Sequence, residues 1–294
     1  MAEIYKSLAG KQAVEALYRR ALQRWPVPHQ QVVVPTCQGE TFVIVSGGSH
    51  ATPIVLFHGS GTNSGAWIRD VADWAQHYRV YAVDMIGEPG FSAASRPPLA
   101  SDKYAAWLDD VWDHLGLVRA SVVGVSLGGW LGLDYAVRRP ERVASLSLLS
   151  PPGIGRQHHL FLIKVGLLLM FGSWGLRKSL KLVAGRAGVP REVSDFLMVI
   201  FKHFRPRMER IPIRTDEELA ALTMPVQLIL GGNDVMIRSK ETRDRENDGH
   251  IPVRQTSAIS EFLSAMASAC RAPRSTMGSL RAFTSGAQAP LPPR

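Results

Sequence analysis

Cysteine is all but missing from this chain of 294 residues: there are two, Cys37 and Cys270, towards opposite ends. Neither falls at a metal-ligand or redox spacing, so no zinc cluster and no disulfide framework is implied, and two unpaired thiols in a reducing compartment are the expectation. Missing too is an apolar run long enough to span a bilayer. The longest, residues 160–174, is interrupted by Lys164, Gly166, Gly172 and Ser173 and falls short of the ~20 residues a spanning helix needs. The opening stretch MAEIYKSLAGKQAVEALYRR holds no apolar segment of the secretory type, so no leader is expected and a cytoplasmic location follows. Internal repeats are absent. The formal net charge is +9, but four arginines after Ser268 supply part of it and the other basic residues are scattered, so no nucleic-acid partner is expected. Residues 160–174 have the composition of an interfacial helix; packing on a core explains them equally, so membrane association is not expected. Nothing in the sequence fixes the oligomeric state.

What is present suits a globular protein. Hydrophobic residues make up 46% and charged residues 20%, enough to bury one large core. Residues 4–24 carry Ile4, Leu8, Val14, Leu17 and Leu22 at helical spacing, ended by Pro26 and Pro28. Two β-rich runs, residues 30–36 and 41–46, flank Gln38-Gly39-Glu40 and predict a hairpin. Then short apolar strands (53–59, 78–84, 120–126, 142–150, 224–232) alternate with helical stretches (67–77, 103–115, 127–139, and finally 254–269). That alternation predicts an α/β fold with a mostly parallel sheet covered on both faces, whose ligands bind beyond the carboxyl ends of the strands. Residues 153–218 interrupt the pattern and are expected to form a helical cap. Within them Thr215-Asp216-Glu217-Glu218 fits a capping box. The expected division is an N-terminal helix over 1–28, a core over 29–152 and 219–270, the cap over 153–218 and a disordered tail over 271–294.

Gly124-Val125-Ser126-Leu127-Gly128 is a G-x-S-x-G motif that follows a predicted strand and opens a predicted helix. In that setting the serine sits at a sharp turn, its hydroxyl exposed and the following amide aimed at a substrate oxygen. Further motifs follow other strands: His58-Gly59-Ser60-Gly61, Asp84-Met85-Ile86-Gly87-Glu88-Pro89-Gly90-Phe91-Ser92, Gly231-Gly232-Asn233-Asp234 and Gly249-His250. Together they resemble the α/β-hydrolase fold family over residues 53–262. The phrases WIRDVADWAQHYRVYAVDMIG, RPERVASLSLLSP and TDEELAALTMPVQLILGGNDV are similar to bacterial carboxylesterases.

Carried over motif by motif, the resemblance implies Ser126 as nucleophile, Asp234 as the acid and His250 as the base, in the chain order of this fold. The amides of Ser60 and Leu127 become the oxyanion hole. His58 is expected to support its loop rather than to act as base, and His158, His159 and His203 fall in the cap. The implied function is a serine hydrolase cleaving carboxylic esters through an acyl-enzyme, with the apolar cap segments 160–171 and 196–204 favouring a hydrophobic acyl or aryl group. No metal or organic cofactor is implied. A carbon–carbon bond hydrolase or a perhydrolase would use the same triad, whereas haloalkane dehalogenases and epoxide hydrolases need an aspartate where Ser126 stands. In one respect the sequence departs from the family. His250 comes only sixteen positions after Asp234, the stretch between them is mostly charged, and the last core strand is expected to be missing. That departure supports a further alternative, a catalytically impaired hydrolase-fold protein that binds a ligand.

Overall fold

The computed structural model describes residues 4–184, 190–231, 234–249 and 251, all within one compact unit, Met1–Ser257. The expected final helix at 254–269, the tail and His250 lie outside the described residues.

Seven strands make one sheet: β1 (His29–Val34), β2 (Thr41–Ser46), β3 (Thr52–Phe57), β4 (Tyr78–Val83), β5 (Ala120–Val125), β6 (Val143–Leu149) and β7 (Val226–Ile229), in the order β1-β2-β4-β3-β5-β6-β7. The β1–β2 and β2–β4 pairs are antiparallel, and every other pair is parallel. The hairpin and the parallel strands were both legible as runs of β-branched residues. From Ile54 to Phe57 every residue of β3 is buried, as a strand covered on both faces requires.

Helices α1 (Leu8–Leu22), α2 (Val71–Trp74), α3 (Lys103–His114) and α4 (Leu127–Arg138) cover this sheet. The helix expected from residue 4 begins at Leu8, because the Ser7 hydroxyl accepts the Gly10 amide and caps it there. On α3 a stripe of Tyr104, Trp107, Leu108, Val111 and Trp112 is buried. α4 is buried nearly all round, from Leu127 to Ala136. Its Asp134 accepts a hydrogen bond from Arg138 Nε and forms a buried ion pair with Arg214, tying the helix to the segment that returns to the sheet. The single helix expected over 67–77 is instead a 3-10 turn, Ser64–Trp67, followed by the one-turn α2. Asn63 starts that turn early by accepting the Gly65 amide on its side chain.

Between β6 and β7 run α5 (His159–Leu169), α6 (Gly172–Ala184), α7 (Arg191–His203) and α8 (Asp216–Ala220). α8 begins with the expected capping box: Thr215 Oγ1 accepts the Glu218 amide at 3.2 Å, and the Glu218 carboxylate accepts the Thr215 amide at 2.9 Å. After β7 the chain forms α9 (Ser239–Asn247), and among the described residues no further strand pairs with β7. The sequence reading assigned no element to this charged stretch. It is helical because its Lys, Glu and Arg residues favour helices and find partners. Lys240 pairs with Asp244 and Arg156 with Glu241, while Arg245 donates to Asp216 and to the carbonyls of Ile154 and Arg214.

Candidate active site

The carboxyl ends of β3, β5, β6 and β7 carry the residues singled out in the sequence. At the end of β5 the chain reverses into α4 through Ser126, whose φ of 50° and ψ of −117° lie where a non-glycine residue costs roughly 1–3 kcal/mol of strain. Packing and hydrogen bonds hold it there. The Ser126 amide donates to Leu149 O at 2.9 Å, fixing the turn to β6, and its carbonyl accepts the Trp130 amide at 3.0 Å in the first turn of α4. The glycines of the motif are steric requirements. A Cβ on Gly124 would overlap the Gly128 carbonyl, and one on Gly128 would overlap the carbonyls of Phe57 and His58 at the end of β3. The strand and helix thus meet closer than side chains permit. Leu127 opens α4, so its unsatisfied amide and the positive end of the helix dipole lie next to the serine.

The His58-Gly59-Ser60-Gly61 loop leaves β3 beside this turn. A Cβ built on Gly59 would sit 3.8 Å from Ser126 Cβ, so a side chain there would touch the serine and the loop runs alongside it. His58 is buried and fully engaged. Its Nε2 accepts the Met85 amide at 2.9 Å, so the proton is on Nδ1, which donates to Gly59 O at 2.9 Å. Burial also pushes its pKa below the ordinary imidazole value. A neutral ring with both nitrogens committed fixes the loop and has no lone pair left to take a proton from Ser126.

Two further carboxylates, to which the sequence motif assigns no role, hold this loop and the turn that follows it. Asp84, fully buried after β4, accepts the Ser64 amide at 2.8 Å and the Tyr18 hydroxyl at 2.9 Å on Oδ1, and the Phe91 amide at 2.9 Å on Oδ2. Gly90 leaves room for it, since a Cβ there would overlap the carboxylate. Glu88 is 2% exposed, and its Oε2 accepts the Gly61 amide at 2.6 Å and the Ser60 hydroxyl at 3.3 Å. The Asp84–Ser92 motif, spaced D-x-x-G-x-x-G-x-S, was the only sequence signal for either, and burial, which distinguishes them from surface acids, is a property of the fold.

Burial pushes the Glu88 carboxyl up to about 7, against the pull of the Gly61 amide and of Arg96 and Arg207 nearby. A carboxyl raised from 4.5 to about 7 by folding contributes stability that is complete below 4.5 and is lost as the pH rises through about 7. The loss is on the order of 3 kcal/mol at most, at 1.36 kcal/mol per pH unit. Glu88→Gln keeps an oxygen for the Gly61 amide and removes the titration. The melting temperature of Glu88→Gln minus that of the parent is therefore expected to grow between pH 5 and about pH 8. A difference that stays flat over that range would show that Glu88 does not titrate there.

Asp234 follows β7. Its Oδ1 accepts the amides of Met236 at 2.8 Å and Ile237 at 3.1 Å, which fixes the carboxylate on its loop. Ser150, after β6, also has positive φ, 45°, and its amide donates to Ile229 O at 2.7 Å, joining the ends of β6 and β7. The structure thus brings Ser126 together with the Gly59–Ser60 loop and sets Asp234 at a strand end of the same sheet edge. His250 lies outside the described residues. Among those residues no cluster of His, Cys, Asp and Glu could hold a metal.

The family model described as alpha/beta hydrolase fold matches residues 52–175. The chain is 34% identical to an uncharacterized carboxylesterase, nap, of Bacillus subtilis, covering 74% of this chain and 75% of that one. It is 29% identical to the carboxylesterase YbfK of the same organism over 78% of this chain and 79% of the relative. The crystal structure of naproxen esterase from Bacillus subtilis superposes with a TM-score of 0.74 at 32% identity, covering 84% of this chain and 89% of that structure. With the strained serine turn and the glycine contacts that fit this fold, these similarities establish that the chain belongs to the α/β-hydrolase fold family, alongside bacterial carboxylesterases.

Proposed function

We propose that the protein is a serine carboxylesterase in which Ser126 attacks the ester carbonyl, His250 accepts the serine proton and Asp234 orients the imidazole. The observation that carries this reading is the backbone of Ser126. A strained serine at a strand-to-helix turn, flanked by glycines that cannot be enlarged, exposes a hydroxyl for attack. The amides of Leu127 and Ser60 would receive the oxyanion, worth about 3–4 kcal/mol per donor. His58 and Glu88 hold the Ser60 loop, and Asp84 fixes Ser64 just beyond it, as such a hole needs. Attack forms the Ser126 acyl-enzyme and releases the alcohol, which takes its proton from His250. Water activated by the same imidazole then releases the acid.

The wall beside this loop is apolar. Phe201 of α7 lies over Gly61, close enough that a Cβ there would overlap the ring. A hydrophobic acyl group is therefore expected. Across p-nitrophenyl esters from acetate upward, kcat/KM should rise up to roughly fourfold per methylene, from about 0.8 kcal/mol for each CH2 buried, until the pocket is full. Stopped-flow measurements should show a burst of nitrophenol of one equivalent, the mark of an acyl-enzyme. A chain that folds but gives neither burst nor turnover would favour the second reading, an impaired ligand-binding member of the family. The observation behind that reading is that α9 follows Asp234, with no strand between it and Gly249.

A further inference from the structure

Packing on a core was the reason to set aside a membrane role for residues 160–174, and the structure removes that reason for their largest side chains. α5 and α6 pack as a helical hairpin whose turn is Met170-Phe171. Met170 is 80% exposed, Phe171 68% and Trp174 61%; Ile163 and Leu167, one helical turn apart on α5, are also exposed. Five of the twelve exposed large hydrophobic residues among the described residues fall within these twelve positions. That is a concentrated patch rather than the single exposed apolar residues usual on a soluble surface. α6 does bury an opposite face, through Leu176 and Ser179. The exposed face is thus the one left after the hairpin has satisfied its contact with the protein.

Along the hairpin itself the charge has one sign. Lys164, Arg177, Lys178 and Lys181 are exposed on the two helices, and residues 157–190 include no Asp or Glu. Lys178 Nζ lies 5.9 Å from the centre of the Trp174 ring, and Phe171 meets the same ring edge-on at 6.2 Å. Aromatic and aliphatic side chains flanked by lysine and arginine, with no acid, make the pattern of a helix that lies in the headgroup region of an anionic bilayer. The helices have eleven and thirteen residues, so at about 1.5 Å per residue neither reaches across a membrane. A second copy of the chain is a poor occupant, because a symmetric contact would set four exposed cations against four more with no acid on either hairpin to pair them.

We infer that the α5–α6 hairpin is a docking surface for anionic lipid bilayers, with Met170, Phe171 and Trp174 entering the interface and Lys164, Arg177, Lys178 and Lys181 meeting the headgroups. The hairpin leads to the candidate site, since α6 packs on α7 and α7 carries Phe201 onto the Gly61 loop. The surface itself does not depend on the esterase chemistry.

The test is co-sedimentation of the full-length protein with vesicles of phosphatidylcholine containing phosphatidylglycerol, beside vesicles of phosphatidylcholine alone, at low and high salt. At least fivefold more protein is expected on the anionic vesicles at low salt, with most of it released at high salt. Met170→Ser/Phe171→Ser/Trp174→Ser and, separately, Lys164→Gln/Lys178→Gln/Lys181→Gln should each lose most of the binding while keeping the parent's circular dichroism and melting temperature. Ser126→Ala should bind as the parent does, so a failure of the ester reading leaves this result intact. Equal binding to the two kinds of vesicle, or none to either, would overturn the proposal. So would a concentration-dependent dimer in light scattering that the apolar triple variant abolishes, which would assign the face to a second copy.

Discussion

Ser126→Ala is expected to lower ester turnover by at least ~10^4-fold in kcat and to abolish labelling by a fluorophosphonate probe, with the fold unchanged. Alanine removes the only atom that could form the acyl-enzyme while leaving the strained turn for the backbone to adopt. Because nucleophile and base act as one unit, His250→Ala should cost nearly as much, and the double variant should be little worse than either single one. The residual rate would come from the Ser60 and Leu127 amides and substrate binding alone. Stability should move far less than activity, and in Ser126→Ala it should rise slightly or stay level, since among the described residues no hydrogen bond of the hydroxyl is lost. Titrating active sites with the probe while following p-nitrophenyl ester hydrolysis separates the possibilities. Full labelling of His250→Ala at the parent's rate would remove that histidine as base. His58 could not take its place, because both its ring nitrogens are already committed. Turnover by Ser126→Ala at the parent's rate would end the serine mechanism altogether.

How much of this was legible in the sequence depends on how local each feature is. The strand ends at Ser126 and Asp234 were legible because a buried parallel strand is a short apolar run, and the residue that follows it stands at the site edge. The Thr215 capping box was legible because its two hydrogen bonds close within four residues. α9 was less so: its residues favour a helix, but it has no apolar stripe to mark it, and it is anchored by Arg245 reaching Asp216, Ile154 and Arg214, residues distant in sequence. The roles of Asp84 and Glu88 were hidden for the same reason. Glu88 looks like any loop glutamate until the fold buries it against the Gly61 amide, and only then does its carboxyl shift up to about 7. For the apolar hairpin, composition left two explanations open, core packing and an interfacial helix. Composition cannot say whether Phe171 and Trp174 face a core or solvent, and core packing does not account for these two, since both are exposed.

Gly128→Ala tests whether the close approach of strand and helix, rather than the serine alone, makes the site. By helix propensity the change should help by about 1 kcal/mol, since Gly128 is inside α4 and alanine is the best helix former. Sterics oppose it. The new methyl would overlap Phe57 O and reach 2.5 Å from His58 O, and both are backbone atoms at the end of β3 with no rotamer to escape into. Relief needs β3 and α4 to separate, at a typical cost of 1–3 kcal/mol for overpacking, so the steric penalty outweighs the propensity gain. The same shift moves the Gly59–Ser60 loop away from Ser126, and a displacement of ~1 Å at a reacting centre costs about a hundredfold in rate. Gly128→Ala is therefore expected to lose at least a hundredfold in kcat/KM and to melt several degrees lower, with Ser126 itself untouched. Gly166→Ala is the control. It lies within α5, a methyl there meets nothing within 4 Å, and its stability should rise by up to about 1 kcal/mol with unchanged turnover of a short ester. Parallel behaviour of the two variants in melting and turnover would mean that the contact of Gly128 with the β3 carbonyls does not shape the site.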